Sequence, residues 1–120
     1  MSIAGASVVS IHPYFKVQAG KLEEFKALLP QFVERTAKEE KCLYYDFSIR
    51  EGEVVHCREA YEGAEGVLAH LENVGDLLGK ALEISELLRL EFHGAAAELE
   101  KLKEPMKEMG PEWFEFECGV

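Results

Sequence analysis

The sequence predicts one α+β domain of the ferredoxin-like type, in which two β-α-β units interleave around an antiparallel sheet. Hydrophobic patterns follow the order strand, helix, strand, strand, helix, strand. Each of these strands has one apolar face. With 120 residues, 48% of them hydrophobic, the chain is long enough for one core. We therefore predict a single domain over residues 1–120, with a core of about 7–94 and a C-terminal extension of 95–120.

The first strand and the first helix are separated by a glycine. Residues 7–16 (SVVSIHPYFK) are rich in β-branched and aromatic residues, which predicts a strand. After Gly20, apolar residues recur every three or four positions from Lys21 to about Lys38, which indicates an amphipathic helix. Pro30 predicts a kink or two abutting helices, because proline removes one helical hydrogen bond.

A β-hairpin is predicted next. Residues 43–50 (LYYDFSIR) alternate apolar and polar side chains, and residues 54–62 return as the partner strand. Glu51 and Gly52 between them are typical of a tight turn.

The second helical region is predicted to consist of two pieces. Residues 64–71 and residues 77–82 both carry apolar side chains at helical spacing, and Gly75 and Asp76 interrupt the pattern.

The remaining elements are a fourth strand and the extension. Residues 87–93 (LLRLEFH) predict a strand with Leu88 on its apolar face. Residues 95–104 predict a short helix, and residues 113–118 (WFEFEC) an extra fifth strand suited to pair with a neighbouring chain.

The charge of the chain excludes several classes of partner. Its 13 Lys and Arg against 23 Asp and Glu give a net charge of −10. Such a charge repels nucleic acid phosphates and anionic membrane surfaces, so neither partner is expected.

The compartment is predicted from the cysteines and the N-terminal sequence. The N-terminal residues have no basic region followed by an apolar run, so no signal peptide is expected. An odd set of three cysteines without a CxxC pair predicts reduced thiols and a cytoplasmic location.

One face of the predicted sheet is polar on all four core strands, if side chains alternate strictly. It comprises Ser10, His12, Tyr14, Tyr44, Asp46, Ser48, Arg50, His56, Arg58, Arg89, Glu91 and His93. Such a face is either exposed to solvent or covered by a second copy of the chain. We favour a homodimer, and we take His12, Tyr14, Asp46, His56 and Arg58 as candidate substrate-binding residues.

Three segments together resemble a known family. They are VQAGKLEEF at a strand-to-helix crossing, KEEKCLYYDF before the second strand, and REAYEGAEGVLAHLEN at a strand followed by a helix. Their order and spacing are similar to those of the antibiotic-biosynthesis-monooxygenase-like family, over about residues 8–93. Lys41 departs from this pattern, since glycine is usual there.

The resemblance implies a ferredoxin-like monomer whose sheet packs face to face with that of a second copy, giving a dimeric α/β barrel. It also implies a cofactor-independent monooxygenase that acts on a small aromatic or quinol substrate. The family contains members without known activity, so a non-catalytic dimeric protein that binds a small ligand, or serves as a scaffold, is the alternative.

Glu59, Tyr61 and His70 are the candidate catalytic residues. Glu59 and Tyr61 match the family's Glu-x-aromatic motif, and His70 matches its helix histidine. A carboxylate in an apolar pocket has a raised pKa and can act as a base, as can a histidine beside the pocket. A purely structural Glu that ties strand to helix is the competing interpretation. We expect the pocket between the sheet and the helices.

No cofactor and no metal site are predicted. The haem-degrading members of the family look to require Asn and Trp in the pocket, whereas Asn73 and Trp113 are the only such residues here. The histidines show neither HxH nor HxxxH spacing, which gives no metal signal.

Overall fold

The computed structural model describes residues 7–120, and residues 1–6 of the predicted domain lie outside it. Its elements follow the predicted order and confirm the α+β class. They are β1 (Val8–Val17), α1 (Leu22–Thr36), β2 (Cys42–Arg50), β3 (Val54–Glu62), α2 (Gly63–Glu83), β4 (Ser85–Gly94), α3 (Ala96–Met106), a 3₁₀ helix (Lys107–Met109) and β5 (Glu112–Glu115).

The sheet has the strand order β2-β3-β1-β4-β5. Strands β1 to β4 pair antiparallel, with β1 between β3 and β4, which confirms the ferredoxin-like topology. Strand β5 pairs parallel with β4 of the same chain. It ends at Glu115, earlier than predicted, and its partner is internal to the chain.

Two hydrophobic clusters pack between the sheet and the helices. One joins Val9 and Phe92 of the sheet to Leu99 and Leu102 of α3. The other joins Phe15 of β1 to residues of α1 and α2 such as Phe25 and Leu77. Burying such a side chain contributes roughly 1.5–3 kcal/mol. The C-terminal extension therefore completes the core.

Helix α2 is continuous from Gly63 to Glu83, so the predicted division into two pieces is wrong. Val74, Leu77 and Ala81 lie buried on one face of it, on both sides of the predicted break. Gly75 costs a helix interior about 1 kcal/mol relative to alanine. Burial of the apolar residues around it outweighs that cost.

A β-bulge changes the predicted face of one residue in β4. The register between β1 and β4 shifts after Tyr14, which pairs with Arg89, so that Phe15 pairs with Leu87. Leu88 is consequently displaced to the surface, where it is 51% exposed. The prediction that Leu88 faces the core is therefore wrong, because strict alternation fails at a bulge.

Helix α1 runs through Pro30 as one helix, with the proline on its exposed side. Among residues 7–120, the helices are too short or too polar to cross a lipid bilayer.

Candidate active site

A cavity of about 60 Å³, here called the inner cavity, lies between the sheet and the helices. Its wall is almost entirely apolar and includes aromatic rings such as those of Phe32 and Phe47. Glu59 of β3 and His70 of α2 are the ionisable acid and imidazole in this wall. The arrangement is an acid-base pair in a dry, apolar space.

The alternation of β3 and the apolar face of α2 bring these two residues together. In β3, Cys57, Glu59 and Tyr61 are all buried on the helix side of the sheet. In α2, His70 is spaced three residues after Val67 and four before Val74, both of which are fully covered. Two regular elements therefore fix the positions of the acid and the imidazole.

Glu59 is 5% exposed, and one of its oxygens accepts a hydrogen bond from the hydroxyl of Tyr61 at 2.6 Å. The same oxygen lies 3.5 Å from Nε2 of His70. Burial raises the pKa of Glu59 to about 7, although the hydrogen bond from Tyr61 opposes the shift. Near neutral pH this carboxyl is therefore populated in both its acid and its base form.

His70 is 3% exposed, and its Nδ1 lies 2.9 Å from Oε2 of Glu39. Burial lowers the pKa of His70 below its usual value of 6.5, which favours the neutral ring. A neutral ring that donates from Nδ1 to the Glu39 carboxylate has its free electron pair on Nε2. That electron pair points toward Glu59.

Glu39 is a site residue that the sequence did not reveal. It lies in the loop between α1 and β2, where its Oε2 also accepts a hydrogen bond from the side chain of Asn73 at 2.8 Å. Glu39 lies in the charged stretch KEEK, which lacks the hydrophobic periodicity that would predict a buried side chain. The only signal is on α2, where His70 and Asn73 are three residues apart and can share a partner.

The five candidate substrate-binding residues lie on the other face of the sheet, here called the open face. Arg58 pairs with Asp46 through two hydrogen bonds of 2.8 and 3.2 Å. The rings of Tyr14 and His56 stack with centroids 4.3 Å apart, and His12 lies beside His56 at 6.1 Å. These residues lie close to one another, but the structure does not bring them to the inner cavity.

No cluster of three or more His, Cys, Asp or Glu side chains within residues 7–120 is arranged to hold a metal ion. The three cysteines are free thiols. The chemistry that the inner cavity offers from its own residues is proton transfer by Glu59 and His70.

Comparison with known proteins supplies relatives among solved structures. No family model and no curated protein matches the chain. MupZ from Pseudomonas fluorescens is 42% identical, with a TM-score of 0.89 over 94% of this chain and 93% of MupZ.

More distant structures share the fold. A candidate antibiotic biosynthesis monooxygenase from Caulobacter crescentus aligns with a TM-score of 0.66 at 17% identity, over 78% of this chain and 94% of that protein. Another from Nitrosomonas europaea aligns with a TM-score of 0.67 at 17% identity, over 76% of this chain and 92% of that protein. The chain therefore belongs to the same family as MupZ, and it shares its ferredoxin-like fold with the two candidate antibiotic biosynthesis monooxygenases.

Proposed function

We propose that the protein is a cofactor-independent monooxygenase that acts on a small aromatic or quinol substrate in the inner cavity. The observation that carries the proposal is the Glu59–His70 pair in an otherwise apolar wall. Names of the structural neighbours in Caulobacter and Nitrosomonas agree with this chemistry.

The reaction begins with removal of a proton from the substrate. Ionised Glu59, beside neutral His70, is the base, and the apolar wall leaves the resulting carbanion or phenolate poorly solvated and electron-rich. The anion gives electrons to molecular oxygen, and a carbon–oxygen bond forms to give a peroxide anion.

Protonated Glu59 then returns its proton to the distal peroxide oxygen. Ionised Glu59 next removes the second proton from the same carbon, and the electrons of that C–H bond form the carbonyl as the oxygen–oxygen bond breaks. The leaving hydroxide takes this proton from Glu59 and departs as water. A ring CH₂ and O₂ thus become C=O and H₂O, and the substrate supplies all four electrons. In this scheme Tyr61 positions the carboxyl through its 2.6 Å hydrogen bond.

The size of the inner cavity indicates how a substrate enters. A cavity of about 150 Å³ holds benzene, so a space of about 60 Å³ must expand to admit a ring. Met106 at the end of α3 and Met109 at the end of the following 3₁₀ helix line this space. Methionine side chains are unbranched and adaptable. We place the entrance of the substrate at these two residues.

Oxygen uptake with a panel of quinols and anthrones tests the proposed function. Glu59→Gln and His70→Ala should each lower the rate at least about a hundredfold, the usual loss on removing a general base. Glu62→Gln, at the exposed end of the same strand, is the matched control. Unchanged uptake in both site variants would refute the assignment. No uptake with any substrate would favour the non-catalytic ligand-binding alternative.

We further propose that the open face covers the same face of a second copy, giving a homodimer in the cytoplasm. The support is a row of rings and paired charges on that face, from Tyr14 through His12 to His93. The ligand contacts predicted for the open face would then lie between the copies. Native mass spectrometry should give twice the chain mass, and a monomer at micromolar concentration would overturn this arrangement.

A further inference from the structure

Glu39 connects the inner cavity to a second, more open cavity. Its side chain is 11% exposed. One oxygen, Oε2, lies 2.9 Å from His70, whose ring borders the inner cavity. The other oxygen, Oε1, is buried and has no hydrogen-bond partner. The two oxygens of one carboxylate thus have different roles.

The second cavity, here called the outer cavity, has a volume of about 220 Å³ and lies between the end of α1 and the start of β2. Thr36 and Glu39 both line it. Thr36 Oγ1, like Glu39 Oε1, is buried and makes no hydrogen bond of ordinary geometry, although the hydroxyl of Tyr45 lies near it. Buried polar atoms are almost always satisfied. Two such atoms in one roomy cavity indicate that solvent enters it and bonds to them.

The proposed reaction requires Glu59 in its ionised form, so Glu59 must be able to lose its proton to solvent. Glu59 is enclosed in an apolar wall, so a proton that it gains or loses cannot pass directly to bulk solvent. His70 lies 3.5 Å from Glu59 on one side and 2.9 Å from Glu39 on the other. An imidazole accepts a proton on one nitrogen and releases one from the other.

We propose that Glu39 is the solvent end of a proton relay that runs from the outer cavity through His70 to Glu59. Glu39 touches no substrate in this scheme, and it acts only through His70. The relay deepens the proposed function, since it would let Glu59 lose its proton to solvent and reach its ionised form before a substrate binds. The contact between His70 and Glu59 is long for a hydrogen bond, and such contacts often tighten when a ligand binds.

A purely structural role for Glu39 is the competing explanation. Through Oε2 it also accepts from Asn73, and it thereby fastens the α1–β2 loop to α2. Both roles use the same contacts, but they predict opposite effects of Glu39→Gln on proton exchange. Glutamine keeps an oxygen that accepts from His70, although it cannot carry a proton. If Glu39 only holds the ring, a weaker hydrogen bond lets the Nδ1 proton escape faster. If Glu39 relays protons, exchange becomes slower.

The experiment is proton NMR on ligand-free protein with ¹⁵N-labelled histidine, in which saturation transfer measures exchange of the His70 Nδ1 proton with water. Glu39→Gln should slow this exchange at least tenfold, with the Nδ1-protonated tautomer and the amide spectrum retained. If exchange in the wild type is fast enough, its His70 Nδ1 proton signal is broadened beyond detection, whereas the same signal is visible in Glu39→Gln. Glu40→Gln, which removes the neighbouring exposed charge, should leave the exchange rate unchanged.

Chemical rescue provides the second measurement. Glu39→Ala enlarges the outer cavity by the volume of a carboxylate side chain, so added formate should restore exchange in proportion to its concentration. Exchange in Glu39→Gln as fast as in wild type, or no response of Glu39→Ala to formate, would overturn the relay. Because these measurements need no substrate, intact relay behaviour without oxygen uptake would refute the proposed monooxygenase alone.

Discussion

Burial keeps Glu59 largely protonated in the folded protein below neutral pH. Its pKa rises from 4.5 to about 7 because the side chain is buried. A rise of this size in the pKa corresponds to roughly 3 kcal/mol of differential stability. Glu59→Gln tests this directly, because glutamine is neutral at every pH and still accepts the hydrogen bond from Tyr61.

Between pH 4.5 and 7 the folded protein keeps a proton on Glu59 that the unfolded chain has lost. The contribution of Glu59 to stability therefore falls as pH rises through this window, and above pH 7 the full penalty remains. Glu59→Gln carries no such penalty. Its advantage over wild type should grow by about 2–3 kcal/mol between pH 5 and pH 8.

Urea denaturation at both pH values, at one fixed protein concentration, measures the difference. All other ionisable groups are the same in both proteins, so their contribution largely cancels. Glu62→Gln, on the exposed end of β3, should show no pH-dependent gain. A gain for Glu59→Gln that is equal at pH 5 and pH 8 would mean that Glu59 is already ionised at pH 5, and it would remove the basis for the acid-base mechanism.

Two further predictions concern the sheet. In Gly94→Ala the new Cβ would lie 2.8 Å from the carbonyl oxygen of Val8, so the free energy of unfolding measured in urea should fall by about 1–3 kcal/mol. Gly79 lies on α2 with open space around it, so in Gly79→Ala the free energy of unfolding should instead rise by about 0.5–1 kcal/mol. Burial and, to a smaller extent, the charge of His93 lower the pKa of His12. The contribution of His12 to the stability of the folded chain is therefore complete above pH 6.5 and is lost as pH falls. The free energy of unfolding should therefore fall more steeply below pH 6.5 in wild type than in His12→Gln, by up to about 1.4 kcal/mol per pH unit in urea denaturation. An equal pH dependence in the two proteins would show that burial of His12 does not contribute.

Periodicity was sufficient to predict the strand order and the composition of most of the core. The order of elements and one apolar face per strand determine the ferredoxin-like topology, because few arrangements bury all those faces. Two local errors have one origin, which is that tertiary packing overrides local signals. Gly75 interrupts the helical pattern of α2 in the sequence, yet buried residues on both sides hold the helix together. Leu88 follows the alternation of β4, yet the bulge opposite Tyr14 displaces it.

The candidate site was predictable in the part that lies on regular elements. Glu59 and His70 occupy β3 and α2, where spacing predicts which side chains face inward. Glu39 was not predictable, because it lies in a loop whose path depends on the completed fold. A charged loop residue normally faces solvent. Only the buried partners on α2 explain why this one turns inward.

The combination of a buried acid and a loop glutamate suggests why the site is divided between two cavities. A base in a dry cavity is strong because nothing solvates it, but the same dryness isolates it from the proton pool. An opening to solvent at Glu59 would let protons reach the carboxylate, but it would also solvate the carboxylate and make it a weaker base. Placing His70 between the two cavities separates these requirements, since the inner cavity can stay apolar while the outer cavity exchanges protons. Burial of the Glu59 carboxylate costs the folded protein roughly 3 kcal/mol. We therefore expect Glu59→Gln to be more stable than wild type and to have lost the proposed oxygenase activity.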